Sequence, residues 1–407
     1  MDGVGGGRGR GGVLVSDARE HVSWDAARRV AHLVGRPRAV VSRGLGEARG
    51  CVLASPLVAP GAVPPVDRSA MDGYAVSGAG PWRVIGHVGV NCSASVQLAD
   101  GQACSITTGA AVPAGATSVV KDEDVELDGE WVSGPAADGK HIRRAGEECR
   151  EGEVVLADGV VVDGPVLGLA ASLGLNRLTV IPQPVVDVLI TGDELVHQGP
   201  SGPGRVRDAI GPMLPDLITR SGAHLGELHH LPDTRQALRE ALTQQTSDLV
   251  LVSGSSAAGP ADHLRPVLQE LGAELIVDGV ACRPGHPQAL ARLAGGRLVI
   301  GLPGNPFAAL SAFLTLGVAA ILGLRGLRLP TLPIASIPGG VDCHPRSTRL
   351  VPVRVTAEGA VPVGHGGSAM LRGAAGADAL AVVDPGPAEA IAARLLPLDP
   401  GARPWAG

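Results

Sequence analysis

Continuous apolar runs alternate with apolar residues at helical spacing between residues 185 and 324. Residues 185–190 are apolar nearly throughout, which is typical of a strand buried on both faces. The pattern predicts further strands and the helices between them, with strands at 185–190, 248–252, 274–277 and 297–301 and helices at 206–220, 233–245, 261–272 and 306–324. This alternation predicts a parallel sheet covered by helices on both faces.

The regions on either side of this α/β pattern consist of shorter apolar segments. Ser23 precedes apolar residues spaced three and four apart, which predicts a capped helix over 23–34. Residues 58–146 are short runs rich in Val, Gly and Pro, as are the residues after 329, and both regions are predicted to be β-rich. Residues 164–173 predict one more helix between them.

Two segments bear on membrane targeting. Residues 306–324 carry no charge and are long enough to cross a bilayer, but they follow directly on a turn and are rich in Ala and Gly. A helix buried in the α/β region explains them better. Residues 1–17 are Gly-rich and lack the long apolar stretch of a signal peptide, so residues 1–19 are predicted to form a disordered tail.

Composition excludes several classes of protein. Of 407 residues, 45% are hydrophobic and 18% charged, which is globular, and the net charge of −6 without a basic stripe argues against nucleic-acid binding. The cysteines are scattered without a CxxC pair, which argues against a zinc site or a disulfide framework and favours free thiols in a reducing cytoplasm: Cys51, Cys92, Cys104, Cys149, Cys282 and Cys343.

The segment PPVDRSAMDGYAV (64–76) contains the only tyrosine of the chain, Tyr74, beside Ser69, Asp72 and Gly73. Asp-Gly is turn chemistry, because Gly accepts positive φ and Asp can bond the turn backbone. A turn that presents a carboxylate beside an aromatic ring suits a ligand or metal site. Taken alone, the residues favour an ordinary turn with a half-buried tyrosine.

Three loops of the α/β region also carry candidate chemistry. Residues 253–260 (SGSSAAGP) link a strand to a helix and suit an anion at the helix N-terminus, although many α/β loops look alike. Asp193 and Glu194 follow a buried strand and suit Mg²⁺, or form a solvated acidic turn. Arg283 and His286 flank a rigid Pro-Gly turn and could clamp an oxyanion, or be incidental surface charges.

The string SAMDGYA (69–75) is followed in order by six more distinctive strings: ITTGAAVPAGATSVVKDED (106–124), RRAGEECREGEVVLADG (143–159), LITGDELV (189–196), RPGHP (283–287), GLPGNPFAAL (301–310) and GGSAMLRG (366–373). In this order they resemble the molybdopterin molybdenumtransferase family, which includes MoeA and the gephyrin E domain. The resemblance spans nearly the whole chain after the first twenty residues.

The resemblance implies an α/β multidomain fold. The expected parts are a parallel-sheet α/β molybdopterin-binding domain (183–327), an inserted β-rich domain (58–146), a helical or mixed N-terminal linking domain (20–57 with 147–182) and a small C-terminal β domain (328–407). Family members are elongated homodimers with the site between subunits, so a homodimer is expected. The expected location is the cytoplasm, with no membrane or nucleic-acid partner.

The family takes adenylylated molybdopterin and molybdate, inserts the metal at the dithiolene and releases AMP with the help of Mg²⁺. The resemblance implies that Asp72, Glu194 and Asp262 position metal and substrate, and that Arg283 and His286 hold molybdate. Other positions are expected to contact substrate: Ser69, Tyr74, Thr108, Glu148, Ser253, Gly254, Pro303, Asn305, Pro306 and Ser368. The molybdopterin adenylyltransferase and apo-molybdoenzymes are expected protein partners.

Several positions depart from the family pattern. Residues 255–258 replace Gly-Val-Ser-Val, Arg283 and His286 replace two lysines, and Glu148 stands where the family has Asp. Ala209 and Ile210 replace Ser-Asn, and two prolines that follow are expected to interrupt a helix. These losses leave open a weakened or inactive paralogue that binds molybdopterin, its cofactor or protein partners without turnover. An adenylyltransferase is a third, lower-ranked hypothesis, and tungstate is an alternative oxyanion.

Overall fold

A computed structural model describes residues 21–91, 96–254, 262–364 and 367–401. The described chain forms two compact units, one from Met1–Ala39 with Pro182–Gly407 (unit 1) and one from Val40–Ile181 (unit 2). The predicted tail and most of the predicted anion loop lie outside the described residues. Unit 1 begins with β1 (Val22–Ser23) and α1 (Trp24–Val34).

Unit 2 is built from short strands, as its Val-, Gly- and Pro-rich runs predict. Its main sheet has the order β10-β11-β7-β8-β6-β9, and small sheets pair β5 with β12, β4 with β13, and β14 with both β2 and β3. Its elements are β2 (Val41–Gly44), α2 (Leu45–Ala48), β3 (Val52–Leu53), β4 (Leu57–Val58), β5 (Arg68–Ser69), β6 (Gly73–Val76), β7 (Trp82–Val88), β8 (Gln102–Ile106), β9 (Ser118–Lys121), β10 (Glu126–Asp128), β11 (Trp131–Ser133), β12 (Ile142–Arg143), β13 (Val154–Leu156), α3 (Gly164–Ser172) and β14 (Arg177–Ile181), with a 3₁₀ turn at Asp122–Asp124.

Unit 1 resumes with the predicted alternation of strands and helices. Its elements here are β15 (Val185–Thr191), β16 (Leu195–Val196), β17 (Val206–Arg207), α4 (Ile210–Arg220), β18 (His224–Leu231), α5 (Arg235–Gln244), β19 (Leu249–Val252), α6 (Leu264–Glu270), β20 (Glu274–Asp278), β21 (Val280–Arg283), β22 (Ala289–Arg292), β23 (Leu298–Gly301), α7 (Pro306–Ala312) and α8 (Val318–Leu324), with a π-helical segment at Phe313–Gly317 between the last two.

The sheet of this α/β region has the order β18-β15-β19-β23-β22-β20. The first four strands are parallel, whereas β22 and β20 are antiparallel to their neighbours. The α/β multidomain fold is therefore confirmed, but the expected all-parallel sheet is mixed at one end. The antiparallel β22 was not predicted.

The C-terminal region is a β structure, as predicted. It contains β24 (Ile334–Asp342), β25 (Thr348–Thr356), β26 (Gly359–Pro362), α9 (Arg372–Ala375), β27 (Ala379–Val383) and β28 (Glu389–Pro397). The sheet order is β1-β21-β25-β27-β28-β24, and β26 pairs with β25. Strand β21 therefore joins this sheet, while the next strand, β22, joins the α/β sheet.

The expected interruption of α4 is wrong. The helix runs from Ile210 to Arg220 and includes both Pro212 and Pro215. Pro212 lies in the first turn, where a backbone N–H has no intrahelical partner to lose. Pro215 removes one bond, and the apolar residues Leu214, Leu217 and Ile218 bury this face of the helix in the core. Tertiary packing outweighs the local penalty.

Residues 306–324 form a core helix, as expected. Among the described residues this helix alone is long and apolar enough to span a membrane, and 89% of its apolar window is buried. Helix α1 packs beside it at a glycine contact. A Cβ on Gly323 would lie 2.2 Å from the carbonyl oxygen of His32 and 2.8 Å from that of Gly35. Backbone-to-backbone approach at this distance requires glycine.

Two glycine-to-alanine substitutions are expected to have opposite effects. Gly323→Ala should destabilise the protein by about 1–3 kcal/mol, because the added methyl overpacks two backbones. Gly168→Ala is the matched control: in α3, nothing beyond the helix itself lies within 4 Å of the place where a Cβ on this glycine would stand. The Gly168→Ala protein should be more stable than wild type by up to about 1 kcal/mol, because alanine has the higher helix propensity. Thermal unfolding measures both, and a Gly323→Ala protein at least as stable as wild type would contradict the close contact.

Candidate active site

In unit 2, Asp72 occupies an exposed turn between β5 and β6. Its Oδ1 accepts the backbone N–H of Thr108 at 2.7 Å, which joins two of the predicted positions. Gly73 follows with φ of +153°, and a Cβ there would lie 2.0 Å from the carbonyl oxygen of Val120. The Asp-Gly pair therefore shapes a turn that holds one carboxylate at the surface.

The other predicted residues of unit 2 differ in accessibility. Ser69 is fully buried, and its hydroxyl donates to the carbonyl of Met71 at 2.5 Å, so it stabilises the turn. Tyr74 is half-buried in β6 and packs against a small apolar cluster. Thr108 and Glu148 are exposed. Asp72, Thr108 and Glu148 are thus the members of this set with side chains open to a ligand.

In unit 1, a cavity of about 940 Å³ brings five predicted residues together: Arg283, His286, Pro303, Asn305 and Ser368. Asn305 precedes α7, and its side-chain amide donates to the hydroxyl of Ser368 at 3.1 Å. The carbonyl of Ser368 accepts the backbone N–H of Ala308 at 3.0 Å. Two contacts therefore tie Ser368 to the first turn of α7, whose first residue is Pro306.

The turn between β21 and β22 supplies the two basic residues of the cavity. His286 Nδ1 lies 3.0 Å from the carbonyl oxygen of Val280. A carbonyl only accepts, so Nδ1 carries the hydrogen and Nε2 is the atom left for a ligand. The buried amide of Gln288 donates to the carbonyl of Gly285 at 2.9 Å and stiffens the turn. Among the described residues, the guanidinium of Arg283 has no hydrogen-bond or ion-pair partner.

Further basic residues that no sequence motif predicted lie at this cavity. His21, His344 and Arg346 also line it. Desolvation lowers the pKa of His344, and the positive charges of Arg283, Arg346 and Arg349 lower it further. Three arginines are therefore close enough to act on one imidazole. Such a cluster of cations suits an anion with several oxygens.

Acidic residues gather at the carboxyl ends of β15 and β18, which are neighbours in the sheet. Asp193 and Glu194 follow β15, and Asp233 follows β18. Asp193 Oδ1 accepts the backbone N–H of Asp233 at 3.1 Å. Burial raises the pKa of Asp233, His263 opposes that rise, and the charges of Asp193 and Glu194 add to it. Asp233 therefore joins this acidic group, although no sequence motif predicted it.

Asp262 and Ser253 bracket the loop that lies outside the described residues. Asp262 is buried; its Oδ1 accepts the backbone N–H of Leu264 at 3.1 Å, and its Oδ2 pairs with the guanidinium of Arg265. Ser253 Oγ accepts the backbone N–H of Thr191 at 3.2 Å. Gly254 and Asp262 line a small pocket with Asp233. Both ends of the loop therefore lie near the carboxyl ends of the parallel strands.

The histidine at the basic cavity provides a direct test of the charge cluster. The pKa of His344 should lie below the ordinary value of about 6.5, and Arg346→Gln should raise it because one positive charge is removed. Desolvation should keep it partly lowered. An NMR titration of the imidazole measures both, with Arg239→Gln on the exposed face of α5 as the control that leaves the pKa unchanged. An unshifted His344, or no response to Arg346→Gln, would contradict the cluster.

Three family models match most of the chain. Residues 18–174 match the MoeA N-terminal region (domain I and II). Residues 187–322 match the family described as "Probable molybdopterin binding domain". Residues 340–392 match the MoeA C-terminal region (domain IV). The three matches occur in the order in which the resemblance predicted them.

Individual relatives give the same result. The chain is 36% identical over 291 residues to molybdopterin molybdenumtransferase 2 of Mycobacterium tuberculosis (strain CDC 1551 / Oshkosh), covering 66% of this chain and 71% of that protein. It is 34% identical to molybdopterin molybdenumtransferase of Synechococcus elongatus, covering 79% and 86%. The crystal structure of the molybdopterin biosynthesis MoeA protein from Pyrococcus horikosii matches with TM-score 0.76 and 26% identity, covering 93% of this chain and 99% of that chain. The chain belongs to the MoeA family of molybdopterin molybdenumtransferases.

Proposed function

We propose that this chain is a transferase of molybdenum cofactor biosynthesis, which inserts molybdenum from molybdate into adenylylated molybdopterin and releases AMP. The observation that carries the proposal is the basic cavity of unit 1. Arg283, His286 and Arg346 line one space together with the polar Asn305 and Ser368. Molybdate is a tetrahedral dianion, and converging guanidinium and imidazole donors match its charge and its oxygens.

The basic side chains and the hydroxyl of Ser368 would have different roles in binding molybdate. Arg283 and Arg346 would offset the two negative charges of molybdate, and Nε2 of His286 would donate a hydrogen bond when the ring is protonated. Ser368, held by Asn305 and Ala308, would orient the oxyanion through its hydroxyl. The dithiolene sulfurs of the substrate are the soft ligands that receive molybdenum, so the protein needs no cysteine ligand. Arginine in place of the family lysine retains this charge.

The family implies Mg²⁺, and the acidic groups at the strand ends supply carboxylate oxygens. Carboxylate oxygens are its preferred ligands. Burial and the charges of Asp193 and Glu194 raise the pKa of Asp233, and a dication would relieve this crowding of negative charge. We propose that Glu194 holds Mg²⁺ together with the phosphates of the substrate, and that Asp193 and Asp233 add negative charge nearby. When bound, the ion neutralises charge on the phosphoanhydride.

Asp262 was expected to share this metal. Both of its oxygens already bond protein groups of α6, so we propose that it fixes the start of this helix instead of contacting the cation directly. In unit 2, the exposed Asp72, Thr108 and Glu148 would contact substrate, while Ser69 and Tyr74 shape their turn. Ser253 and Gly254 would serve the nucleotide end, and Pro303 and Pro306 would set the backbone beside the pterin.

The remaining expectations rest on the family. We propose a cytoplasmic homodimer that receives its substrate from the molybdopterin adenylyltransferase and delivers cofactor to apo-molybdoenzymes. The buried position of residues 306–324 supports a role for this helix as core.

AMP release from adenylylated molybdopterin, measured with and without molybdate and Mg²⁺, tests the function. Wild-type protein should release AMP in a manner that requires both. Glu194→Gln should lower the rate by on the order of 10²-fold, since it removes charge stabilisation at the phosphates. Arg346→Gln should raise the molybdate concentration required by about tenfold or more, since it removes a charged hydrogen-bond donor.

Arg239→Gln is the matched control for the lost arginine and should leave AMP release unchanged. Absence of AMP release from wild-type protein that still binds molybdopterin would refute the transferase and leave a binding paralogue. AMP release at the same rate with and without molybdate would refute the role of the basic cavity in binding this oxyanion.

A further inference from the structure

A second group of metal-ligating side chains lies outside the residues used above. His197 follows β16, Asp208 follows β17, and His230 lies in β18. One nitrogen of each imidazole and one oxygen of the carboxylate all lie within 4.8 Å of one another. Three segments that are separate in sequence therefore place three potential ligand atoms in one small volume.

The carboxylate of Asp208 is buried and held in one orientation. Its Oδ1 accepts the backbone N–H groups of Ile210 and Gly211, both at 2.9 Å, at the start of α4. Its Oδ2 faces the two histidines, 3.2 Å from His230 Nε2 and 3.8 Å from His197 Nδ1. The oxygen that is left for a ligand is thus preoriented by backbone donors, as ligand carboxylates commonly are.

The two imidazoles are close but remain accessible. Their ring centroids are 3.7 Å apart, with an angle of 49° between the planes. Their side chains are 45% and 38% exposed for His197 and His230, whereas that of Asp208 is 5% exposed. Solvent can therefore supply a further ligand on the open side of the group.

The distances fit a small transition-metal ion. Bonds of about 2.0–2.1 Å in a tetrahedron separate ligand atoms by roughly 3.3 Å. The two separations from Asp208 Oδ2 bracket this value, and the two imidazole nitrogens lie within 4.8 Å of each other. Two imidazoles and a carboxylate are the donors that zinc and its neighbours prefer, whereas Mg²⁺ prefers oxygen alone.

We propose that His197, Asp208 and His230 bind one transition-metal dication of the Zn²⁺ class. The ion would fasten the β16–β17 loop to the edge strand β18 and to the start of α4. Scattered cysteines argued against a thiolate zinc site, and this donor set contains no thiolate. The site is structural, and it does not depend on the proposed transferase activity.

The test uses the full-length protein, purified without a histidine tag and treated with chelator. Equilibrium dialysis against Zn²⁺ should show one equivalent bound, and Zn²⁺ should raise the thermal unfolding temperature because it binds only the folded state. His230→Gln and His197→Gln should each weaken binding by at least about tenfold, since even outer-shell partners are worth 10–100-fold. Substitution with Co²⁺ should give a visible spectrum without thiolate bands.

His229→Gln is the matched control. His229 lies on the same strand, and its Nε2 lies 2.7 Å from a carboxylate oxygen of Glu227, a contact that involves no second imidazole. This substitution should leave Zn²⁺ affinity unchanged. Circular dichroism confirms that each variant is folded, and Asp208 is left intact because it caps α4.

Three results would overturn the proposal: no Zn²⁺ binding by the wild-type protein, equal affinity in the His230→Gln and His229→Gln proteins, or thiolate bands in the Co²⁺ spectrum. None of these measurements uses turnover. A failed AMP assay with intact Zn²⁺ binding would therefore refute the transferase alone, and the reverse result would refute only this site.

Discussion

The pairing of β21 and β22 with different sheets is the constraint on which the basic cavity depends. Strand β21 pairs with β25, whereas β22 pairs with β23 in the α/β sheet. The turn between them must therefore remain where the two sheets approach. Arg283 and His286 sit on that turn, and β25 is preceded by the loop that carries His344 and Arg346. The basic residues converge because backbone pairing holds their segments together.

Charges of opposite sign are separated within unit 1. Basic groups surround the turn after β21, while acidic groups follow β15 and β18. In the proposed function, molybdate and the cation at the phosphoanhydride would require opposite local charges, and a net charge of −6 cannot serve both. Local clusters of charge would therefore perform the binding. Within the basic group, a histidine of lowered pKa stays neutral near pH 7, so the arginines carry the positive charge.

Sequence predicted the elements whose pattern is continuous and missed those whose partners are distant. The apolar runs of β15, β19 and β23 were predicted within a residue or two. The short β21 and β22 were not, because Pro, Gly and His interrupt their pattern. Asp233 was missed because its approach to Glu194 depends on β18 lying beside β15. Arg346 was missed for the same reason, and so was the contact between His197 and His230, because their positions in the sequence follow no regular spacing.

The most direct test of this account locates molybdenum itself. Crystals of the protein soaked with molybdate should show one anomalous molybdenum peak inside the cavity lined by Arg283, His286, Arg346 and Ser368. Crystals of the Arg346→Gln protein should show that peak weakened. A molybdenum peak elsewhere in the wild-type protein, or none in this cavity under saturating molybdate, would contradict the claim that these cations form the oxyanion site.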